Sequence, residues 1–373
     1  MKKKLLKGLF IATAVSIFSS CSSDDNDNIK PDDSFASSKT GMYILNQGKM
    51  GDNNANMGYY DQATSTVTPK IFQSQNDGLK LGETAQDMIV YGSKMYISIT
   101  GSNRIYVTDL NCKLLKGTDG KETIITLNNS QDIPQQPHSL IAYKGNVYAT
   151  FYGGCVARID TTSLAIDKQV ATEAYPEKMT IVNNNLYVTN RSGYSAGEES
   201  TTISKIDLTA FSSATKITVA YNPTQITSDA SGTIYVAGWG QFGDDTKPAT
   251  FQKIDSETGD VSSISNLSVT NMVVKNDKVL LIYSDPITYA SSLAYYDITN
   301  NKLETQSFVS TEKPLSSAQT ITIDPTNSNI YITMSDFMTE GSVNIYSASG
   351  EFMKSIDTGG INPIGVYFPR ISK

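Results

Sequence analysis

The sequence predicts an all-β fold, a seven-bladed β-propeller of four-stranded antiparallel blades, from a recurring strand, its period and the segments that flank it. Seven short segments rich in β-branched and aromatic residues, each with a turn signal before it, are typical of strands. They recur about every 48 residues, a period typical of propeller repeats. The residues at the aligned position are Tyr43, Tyr96, Tyr148, Tyr187, Tyr235, Leu280 and Tyr331.

The flanking segments complete a four-stranded unit. A short apolar run precedes each of these strands after the first, and tight-turn residues such as "KGN" from position 144 join the two, which indicates a hairpin. A third strand follows, which ends in aspartate in six of the seven repeats, and the remaining length accommodates a fourth strand. The residues that end the third strand are Asp61, Asp109, Asp160, Asp207, Asp255, Asp297 and Ser347.

The two ends of the folded region predict how the ring closes. "GMYILN" begins at position 41 with no apolar run before it, so the first repeat lacks an innermost strand. The final segment "NPIGVYF", positions 362–368, is similar to "NPTQITS" from position 222, which precedes the fifth repeat. We expect the C-terminal strand to join the N-terminal blade, which closes the ring and leaves no terminal edge exposed. Positions 41–373 therefore form the propeller.

The first 40 positions predict export and anchoring. Positions 1–20 combine four lysines with an apolar stretch and small residues, as a secretory signal peptide does. The junction "FSSC" resembles a bacterial lipobox, which implies that Cys21 is acylated and anchors the protein to a membrane. Positions 21–40 open with the acidic run "CSSDDNDN", which predicts a solvated tether. The run also resembles the export signal of Bacteroidetes surface lipoproteins, which implies an outer-membrane, cell-surface location; a periplasmic orientation is the alternative.

Composition narrows the classes of partner. The formal net charge is −7, and no basic run follows the signal peptide, which argues against nucleic acid and against anionic lipid surfaces. Two cysteines remain after Cys21. We place Cys112 and Cys155 on opposite faces of the propeller, beyond disulfide reach, and expect two free thiols.

The strand "NLYVTN" from position 185, the asparagine-rich turns and the repeated "ID" strand ends resemble the YncE-like (YVTN-type) propeller family. With the lipobox and the length, they also resemble the surface lipoprotein propellers of Bacteroidetes, of which the BtuG group is one. That resemblance covers essentially the whole mature chain. It implies capture of cobalamin (vitamin B12) and delivery to a BtuB-like TonB-dependent outer-membrane transporter. Fold and export motifs carry the resemblance, so no ligand residues follow from it.

One face of the predicted propeller carries the candidate ligand site. With the strands of a blade labelled A to D from the axis outward, the B–C loops and the entries to strand A share a face, and five B–C loops are long. Their aromatic and polar side chains suit a ligand with an apolar face and many hydrogen-bonding edges, such as a corrinoid or a sugar ring. The candidate loop residues are Arg191, Tyr194, Trp239, Phe242, Tyr289 and Phe337.

The entries to the A strands supply the candidates at the mouth of the axial channel. Among these entries we expect ligand contacts from Gln86, His138, Glu177, Thr224 and Gln319; Thr270 and Ile364 occupy the same position in the other two blades. Only one of the seven is acidic, and His138 is the only histidine of the chain, which excludes a histidine-based metal cluster. We therefore predict no metal, no cofactor and no enzymatic activity, a lactonase-like hydrolase being the enzymatic alternative.

Three functional hypotheses remain. The first is a non-enzymatic surface receptor for cobalamin or another corrinoid that passes its ligand to the transporter. The second is a glycan-binding lipoprotein, which the same aromatic side chains favour. The third is a structural or adhesive propeller without a small ligand.

Overall fold

The computed structural model describes residues 41–117, 120–191, 200–241 and 243–369. Within these ranges, seven antiparallel sheets of four strands each form a ring, and the predicted seven-bladed propeller is confirmed. The expected signal peptide (1–20) and tether (21–40) lie outside the described residues. In the described part of the chain, no helix is long and apolar enough to span a membrane.

The blades are numbered from the one that contains Tyr43, and their strands are labelled A to D from the axis outward. The A strands are Pro363–Tyr367 (β28), Ala85–Tyr91 (β4), Pro137–Tyr143 (β8), Pro176–Val182 (β12), Pro223–Ser228 (β16), Val269–Lys275 (β20) and Ala318–Ile323 (β24). The B strands are Met42–Asn46 (β1), Lys94–Ile99 (β5), Asn146–Phe151 (β9), Asn185–Asn190 (β13), Thr233–Gly238 (β17), Lys278–Ser284 (β21) and Ile330–Met334 (β25).

The outer half of each blade consists of strands C and D. The C strands are Asn56–Asp61 (β2), Arg104–Asp109 (β6), Cys155–Asp160 (β10), Thr202–Asp207 (β14), Thr250–Asp255 (β18), Ser291–Asp297 (β22) and Glu340–Tyr346 (β26). The D strands are Thr66–Thr68 (β3), Ile124–Ile125 (β7), Ala165–Ala171 (β11), Ala214–Thr218 (β15), Val261–Ser265 (β19), Lys302–Glu304 (β23) and Phe352–Ile361 (β27). One short helix, Ile71–Gln75 (α1), lies between blades 1 and 2.

The ring closes as predicted, through the C-terminal strand. β28 pairs antiparallel with β1, with Tyr367 opposite Tyr43. Asn362 alone separates β28 from the long strand β27, and its carbonyl accepts a hydrogen bond from the Gln47 backbone N–H at 2.9 Å. The Asn46 side chain also donates to the Thr358 carbonyl at 3.2 Å, so blade 1 is bonded to blade 7 as well as to its own inner strand.

The hydrophobic core lies between the blades. In the described residues, seven clusters of buried side chains fill the seven interfaces between adjoining blades. Tyr96 of blade 2, for example, belongs to the same cluster as Leu140 and Val147 of blade 3. Because each B strand is covered on both of its faces, its residues are almost continuously buried rather than alternately exposed. The aligned tyrosines of the repeats are therefore core residues.

The aspartates that end the C strands stabilise the C–D turns. Asp160 accepts hydrogen bonds from the backbone N–H groups of Thr162 at 3.1 Å and Ser163 at 2.6 Å. Those bonds favour the ionised carboxylate and lower the pKa of Asp160. The "ID" signature of the sequence is thus a turn signature, because a carboxylate at this place satisfies backbone donors that leave the sheet.

The two faces of the ring differ in their connections. The A–B and C–D turns share one face, whereas the B–C loops and the entries to strand A share the other, which we call the pocket face. Gly41, where the described chain begins, precedes a B strand and therefore lies on the face opposite the pocket face. Cys112 and Cys155 are both free thiols, as predicted.

Candidate functional site

A pocket opens at the axis of the ring, on the pocket face, with a volume of about 500 Å³. All seven blades contribute to its wall, so the site belongs to the ring as a whole and to no single repeat. We call it the axial pocket. Its lining comprises Gln86, His138, Tyr152, Glu177, Lys178, Arg191, Gln225, Trp239, Thr270, Asn271, residues 319–322 and residues 364–367.

A β-bulge at the start of every A strand shapes the pocket wall. In each blade the pairing between strands A and B shifts register at this point, as it does between Pro176 and Met179 of blade 4. A bulge places an extra residue against the partner strand and breaks the alternation of side chains. Glu177 and its neighbour Lys178 therefore both line the pocket, as do Thr270 and Asn271 of blade 6.

A second repeated feature positions the loop residues. At the end of each B strand, a backbone N–H donates to the carbonyl of the residue just before strand A of the same blade. Tyr152 donates to Gln136, Arg191 to Tyr175 and Trp239 to Asn222, each at about 3.0 Å. Tyr152, Arg191 and Trp239 thus occupy equivalent places in blades 3, 4 and 5, and their side chains converge on one side of the pocket.

That side, which we call the charged wall, is organised around a buried ion pair. The Arg191 guanidinium lies 2.5 Å from a Glu177 carboxylate oxygen, and both side chains are less than a tenth exposed. Three aromatic rings of the described residues surround the guanidinium, with ring centroids 5.9 Å (Tyr152), 5.7 Å (Tyr175) and 5.6 Å (Trp239) from its central carbon. These are cation–π distances, so the rings stabilise the arginine and are held in place by it. Burial raises the pKa of Glu177, against the opposing effects of the Arg191 and Lys178 charges and of the Tyr152 hydroxyl, which donates to it.

Trp239 reaches this cluster because glycines on both sides allow its loop to pass close to the rest of the blade. A Cβ on Gly238 would lie 2.3 Å from the Tyr221 carbonyl oxygen, and one on Gly240 would lie 2.3 Å from that of Lys247. Gly240 also has a φ of +70°, which side chains disfavour. The indole is 47% exposed, so one part of it contacts Arg191 while another faces the pocket mouth.

His138 is buried in the charged wall as a neutral imidazole. It stacks on Tyr152 with 4.7 Å between ring centroids and hydrogen-bonds the Glu177 backbone. Nδ1 is buried without a hydrogen-bond partner among the described residues. Burial, together with the charges of Lys178 and Arg191, holds the pKa of His138 well below its usual value.

The opposite side of the pocket, which we call the amide wall, carries no charged side chain among its lining residues. It offers carboxamide and hydroxyl groups from blades 2, 5, 6 and 7: Gln86, Gln225, Thr270, Asn271, Gln319, Thr320 and Thr322. Carboxamides both donate and accept hydrogen bonds, and hydroxyls do the same. This wall is therefore suited to ligand amides or hydroxyls rather than to an ionic group.

The structure brings most of the sequence-predicted residues together. Gln86, His138, Glu177, Arg191, Trp239 and Gln319 line the axial pocket, as do Thr270 and Ile364. Tyr289 and Phe337 do not: they are exposed on the B–C loops of blades 6 and 7. Tyr194, Phe242 and the expected lipidation site Cys21 lie outside the described residues.

Thr224 requires a correction. The sequence placed it at the channel mouth, but it is fully buried, and its neighbour Gln225 lines the pocket instead. The register of β16 shifts between Pro223 and Gln225, as it does at the start of the other six A strands, and only the three-dimensional structure shows which residue of each bulge faces the pocket.

The sequence reading also missed Tyr152, Tyr175, Lys178, Gln225 and Asn271. A signal existed for Tyr152, because it follows its B strand directly, as Arg191 and Trp239 follow theirs. Its B–C loop, "YGG" from position 152, is short, and the sequence analysis takes its candidates from the long loops alone. Tyr175 precedes β12 with a φ of +52°, and only the three-dimensional structure shows that its ring lies beside Arg191.

The pocket lining combines aromatic rings with hydrogen-bonding groups. Within the described ranges, no group of three or more His, Cys, Asp and Glu side chains is arranged to hold a metal ion. Glu177 is the only carboxylate among the described residues that line the pocket, and it forms an ion pair with Arg191. The arrangement therefore offers a flat aromatic surface and directed hydrogen bonds.

Solved proteins of very different function share this fold. The chain is similar to Kuenenia stuttgartiensis hydrazine synthase at 14% identity, covering 71% of this chain and 76% of that one, with a TM-score of 0.55. It is similar to dihydro-heme d1 dehydrogenase NirN in complex with DHE at 11% identity, covering 90% and 77%, with a TM-score of 0.58. The computationally designed Ika8 protein shares 11% identity, with 87% and 89% covered and a TM-score of 0.52. No protein-family model and no curated protein matches the chain.

At these identities the likeness shows the fold alone. Two of the three neighbours are enzymes by name, so the propeller accommodates catalysis as well as binding, and the absence of activity stays a prediction.

Proposed function

We propose that this chain is a non-enzymatic receptor that binds a cobalamin-type corrinoid at the axial pocket. The observation that carries the proposal is the pairing of a half-exposed indole, Trp239, with an amide wall across the same pocket. A corrinoid is a flat macrocycle bordered by amide side chains, so its ring matches the first feature and its edges match the second.

The size of the pocket is consistent with a corrinoid that the pocket encloses only in part. About 500 Å³ lies within the usual range for small-molecule sites but is smaller than a whole corrinoid. The macrocycle would therefore lie across the mouth, with part of its edge inserted toward the axis. An open site of this kind also allows a bound ligand to be passed on.

The topology supports an anchored receptor. Gly41 enters the propeller on the face opposite the pocket, so a tether that precedes it leaves the pocket face free. We therefore propose that lipidated Cys21 and the 21–40 tether hold the protein at the outer membrane, at the cell surface, and that a BtuB-like TonB-dependent transporter receives the ligand. Replacement of Cys21 by Ala should release the protein from the membrane fraction, and intact-cell proteolysis should show on which side the wild type lies.

Trp239 gives a direct test of ligand binding, because it is the only tryptophan of the chain. Its fluorescence therefore reports on the axial pocket alone. Titration with cyanocobalamin should change that fluorescence and release or absorb heat in calorimetry. Trp239→Ala should weaken the calorimetric affinity by about tenfold or more, because a stacked aromatic contact at a binding site contributes on the order of 1–3 kcal/mol.

Tyr289→Ala is the matched control. It removes an aromatic side chain that is more exposed, at 67% against 47%, from the same face but from outside the pocket lining, so the affinity should not change. No heat and no fluorescence change with cyanocobalamin at micromolar protein would exclude the corrinoid proposal.

Glycan binding is the second candidate, and the same indole favours it. A half-exposed tryptophan beside hydroxyl and amide groups also fits the apolar face and hydroxyl edges of a sugar ring. An oligosaccharide array probed with wild type and Trp239→Ala separates the two. Glycan signals that Trp239→Ala abolishes, together with no response to cyanocobalamin, would replace the first proposal by this one.

A further inference from the structure

Lys178 is the one charged residue lining the axial pocket whose side chain makes no ionic contact shorter than 3.9 Å among the described residues. The bulge in β12 turns it toward the pocket, and its backbone N–H is held by the Thr189 hydroxyl at 3.0 Å. Its side chain is 32% exposed, so its ammonium group remains accessible from the pocket. An ammonium group carries three hydrogen-bond donors and no acceptor.

The nearest acidic group does not use those donors. The closest contact runs from Nζ of Lys178 to Oδ2 of Asp87 and measures 3.9 Å, beyond hydrogen-bond distance. Oδ2 of Asp87 already accepts from the Ser139 hydroxyl at 2.8 Å and from the Leu140 backbone N–H at 2.9 Å.

The other carboxylate oxygen of Asp87 is occupied as well. Oδ1 accepts from the Met88 backbone N–H at 2.9 Å and from the Tyr367 hydroxyl at 3.3 Å. Asp87 thus bonds blade 2 to blades 3 and 1. Asn271 of blade 6 makes the equivalent bond to blade 7, where it accepts from the Ile321 backbone N–H at 2.9 Å. A neutral amide fills the same role elsewhere, so Asp87 is chiefly a link between blades.

The remaining charges of the pocket are paired with each other. Glu177 and Arg191 form an ion pair within the charged wall, and the amide wall has no charge. The pocket lining therefore carries one excess positive charge, and it lies at Lys178. A ligand that placed an anionic oxygen there would gain charge-assisted hydrogen bonds that a neutral ligand cannot make.

We infer that Lys178 is a specificity-determining residue that binds an anionic phosphate or carboxylate group of the ligand. The inference rests on the proposed function and narrows it to a ligand with amide or hydroxyl edges and at least one anionic group. For a corrinoid that group is the phosphodiester of the nucleotide loop, which cobalamin has and cobinamide lacks.

The test compares two corrinoids on three proteins. Wild type, Lys178→Gln and Lys49→Gln are titrated with cyanocobalamin and with dicyanocobinamide, with calorimetry and Trp239 fluorescence as readouts. Lys49 lies on an exposed B–C loop of the same face, outside the pocket lining, so its variant controls for the loss of one positive charge. Lys178→Gln should weaken cyanocobalamin binding by about 10–100-fold, as expected for a hydrogen bond to a charged group, and should leave dicyanocobinamide binding unchanged.

The possible outcomes separate the two proposals. An equal effect of Lys178→Gln on both corrinoids, or no effect on either, overturns the inference about Lys178 while the receptor proposal stands. Failure of wild type to bind either corrinoid overturns the receptor proposal instead. In that case inorganic phosphate tests Lys178 by itself. If phosphate raises the Tm of wild type and of Lys178's control variant Lys49→Gln, but not that of Lys178→Gln, the anion contact is supported. If phosphate does not raise the Tm of wild type, the anion contact is excluded.

Discussion

The charged wall of the axial pocket and the B–C loops of blades 6 and 7 carry aromatic residues on the same face, but they use them differently. In blades 3, 4 and 5 the side chains converge: Tyr152, Tyr175 and Trp239 surround Arg191 within 6 Å. In blades 6 and 7, Tyr289 and Phe337 are 67% and 53% exposed and do not line the pocket.

The loops of blades 6 and 7 are nonetheless well ordered by their own hydrogen bonds. Both contain the pattern Ser-Asp-x-x-Thr, "SDPIT" from 284 and "SDFMT" from 335. In the second, Asp336 accepts from the backbone N–H groups of Met338 at 2.9 Å and Thr339 at 2.8 Å, which lowers the pKa of Asp336 to about 2. Aromatic composition therefore identifies the pocket face, whereas convergence of the rings on the buried Arg191 distinguishes the residues of the axial pocket.

The largest expected effect is on the buried ion pair. Arg191→Met leaves Glu177 buried without its partner, which should lower the free energy of unfolding by about 3–5 kcal/mol in urea denaturation. The double variant Glu177→Gln/Arg191→Met removes both charges and should recover most of the loss. Equal losses in the single and double variants would show that the wall depends on packing rather than on charge pairing.

The glycines around Trp239 should have the next largest effect. Gly240→Ala combines a φ of +70° with a contact of 2.3 Å to the Lys247 carbonyl oxygen, and should cost about 3 kcal/mol of unfolding free energy and displace Trp239. Gly243→Ala is the control, since its φ is +79° but no described atom lies within 4 Å of the added carbon. It should cost about 1 kcal/mol and leave the Trp239 emission spectrum unchanged. If the two variants had the same unfolding free energy and the same Trp239 emission spectrum, the close approach of the Lys247 carbonyl oxygen to Gly240 would not be what requires glycine there.

The third effect depends on pH and concerns His138. Its pKa in the folded protein lies well below 6.5, so between pH 6.5 and 5 the unfolded chain binds a proton that the folded chain does not. The stability that the neutral imidazole contributes is therefore present above about pH 6.5 and is lost as the pH falls, by up to about 1.4 kcal/mol per pH unit.

His138 is the only histidine, so the comparison of wild type with His138→Gln isolates this contribution. The difference in their unfolding free energies should shift in favour of the variant between pH 6.5 and 5. Parallel curves over that range would indicate that the imidazole is not held neutral.

The smallest effect is expected at the exposed loops. Phe337 has a φ of +65°, a conformation that asparagine tolerates better than a large aromatic residue. Phe337→Asn should change the unfolding free energy by less than about 0.5 kcal/mol and the ligand affinity by less than twofold. A large loss of affinity would extend the binding site to blade 7 and remove the contrast between the two regions.

The sequence predicted much of the lining of the axial pocket, because the loop composition and strand ends that place these residues are local features of each repeat. The composition of the long B–C loops indicated Arg191 and Trp239, and the aligned entries to strand A indicated His138 and Glu177. It did not predict Lys178, because alternation along a strand assigns neighbouring residues to opposite sides and the bulge reverses that assignment.

Strand period, turn chemistry and repeat length are properties of the chain itself, and by themselves they determined the seven blades and the closing role of strand β28. Only the tertiary structure decided which side chains of different blades meet. Tyr152, Tyr175 and Trp239 surround Arg191 because the ring brings three separate repeats to one axis, whereas Tyr289 and Phe337 remain exposed outside the pocket lining. Contacts between repeats depend on the curvature of the ring and on the register at its inner edge, and the local sequence pattern of a single repeat determines neither of them.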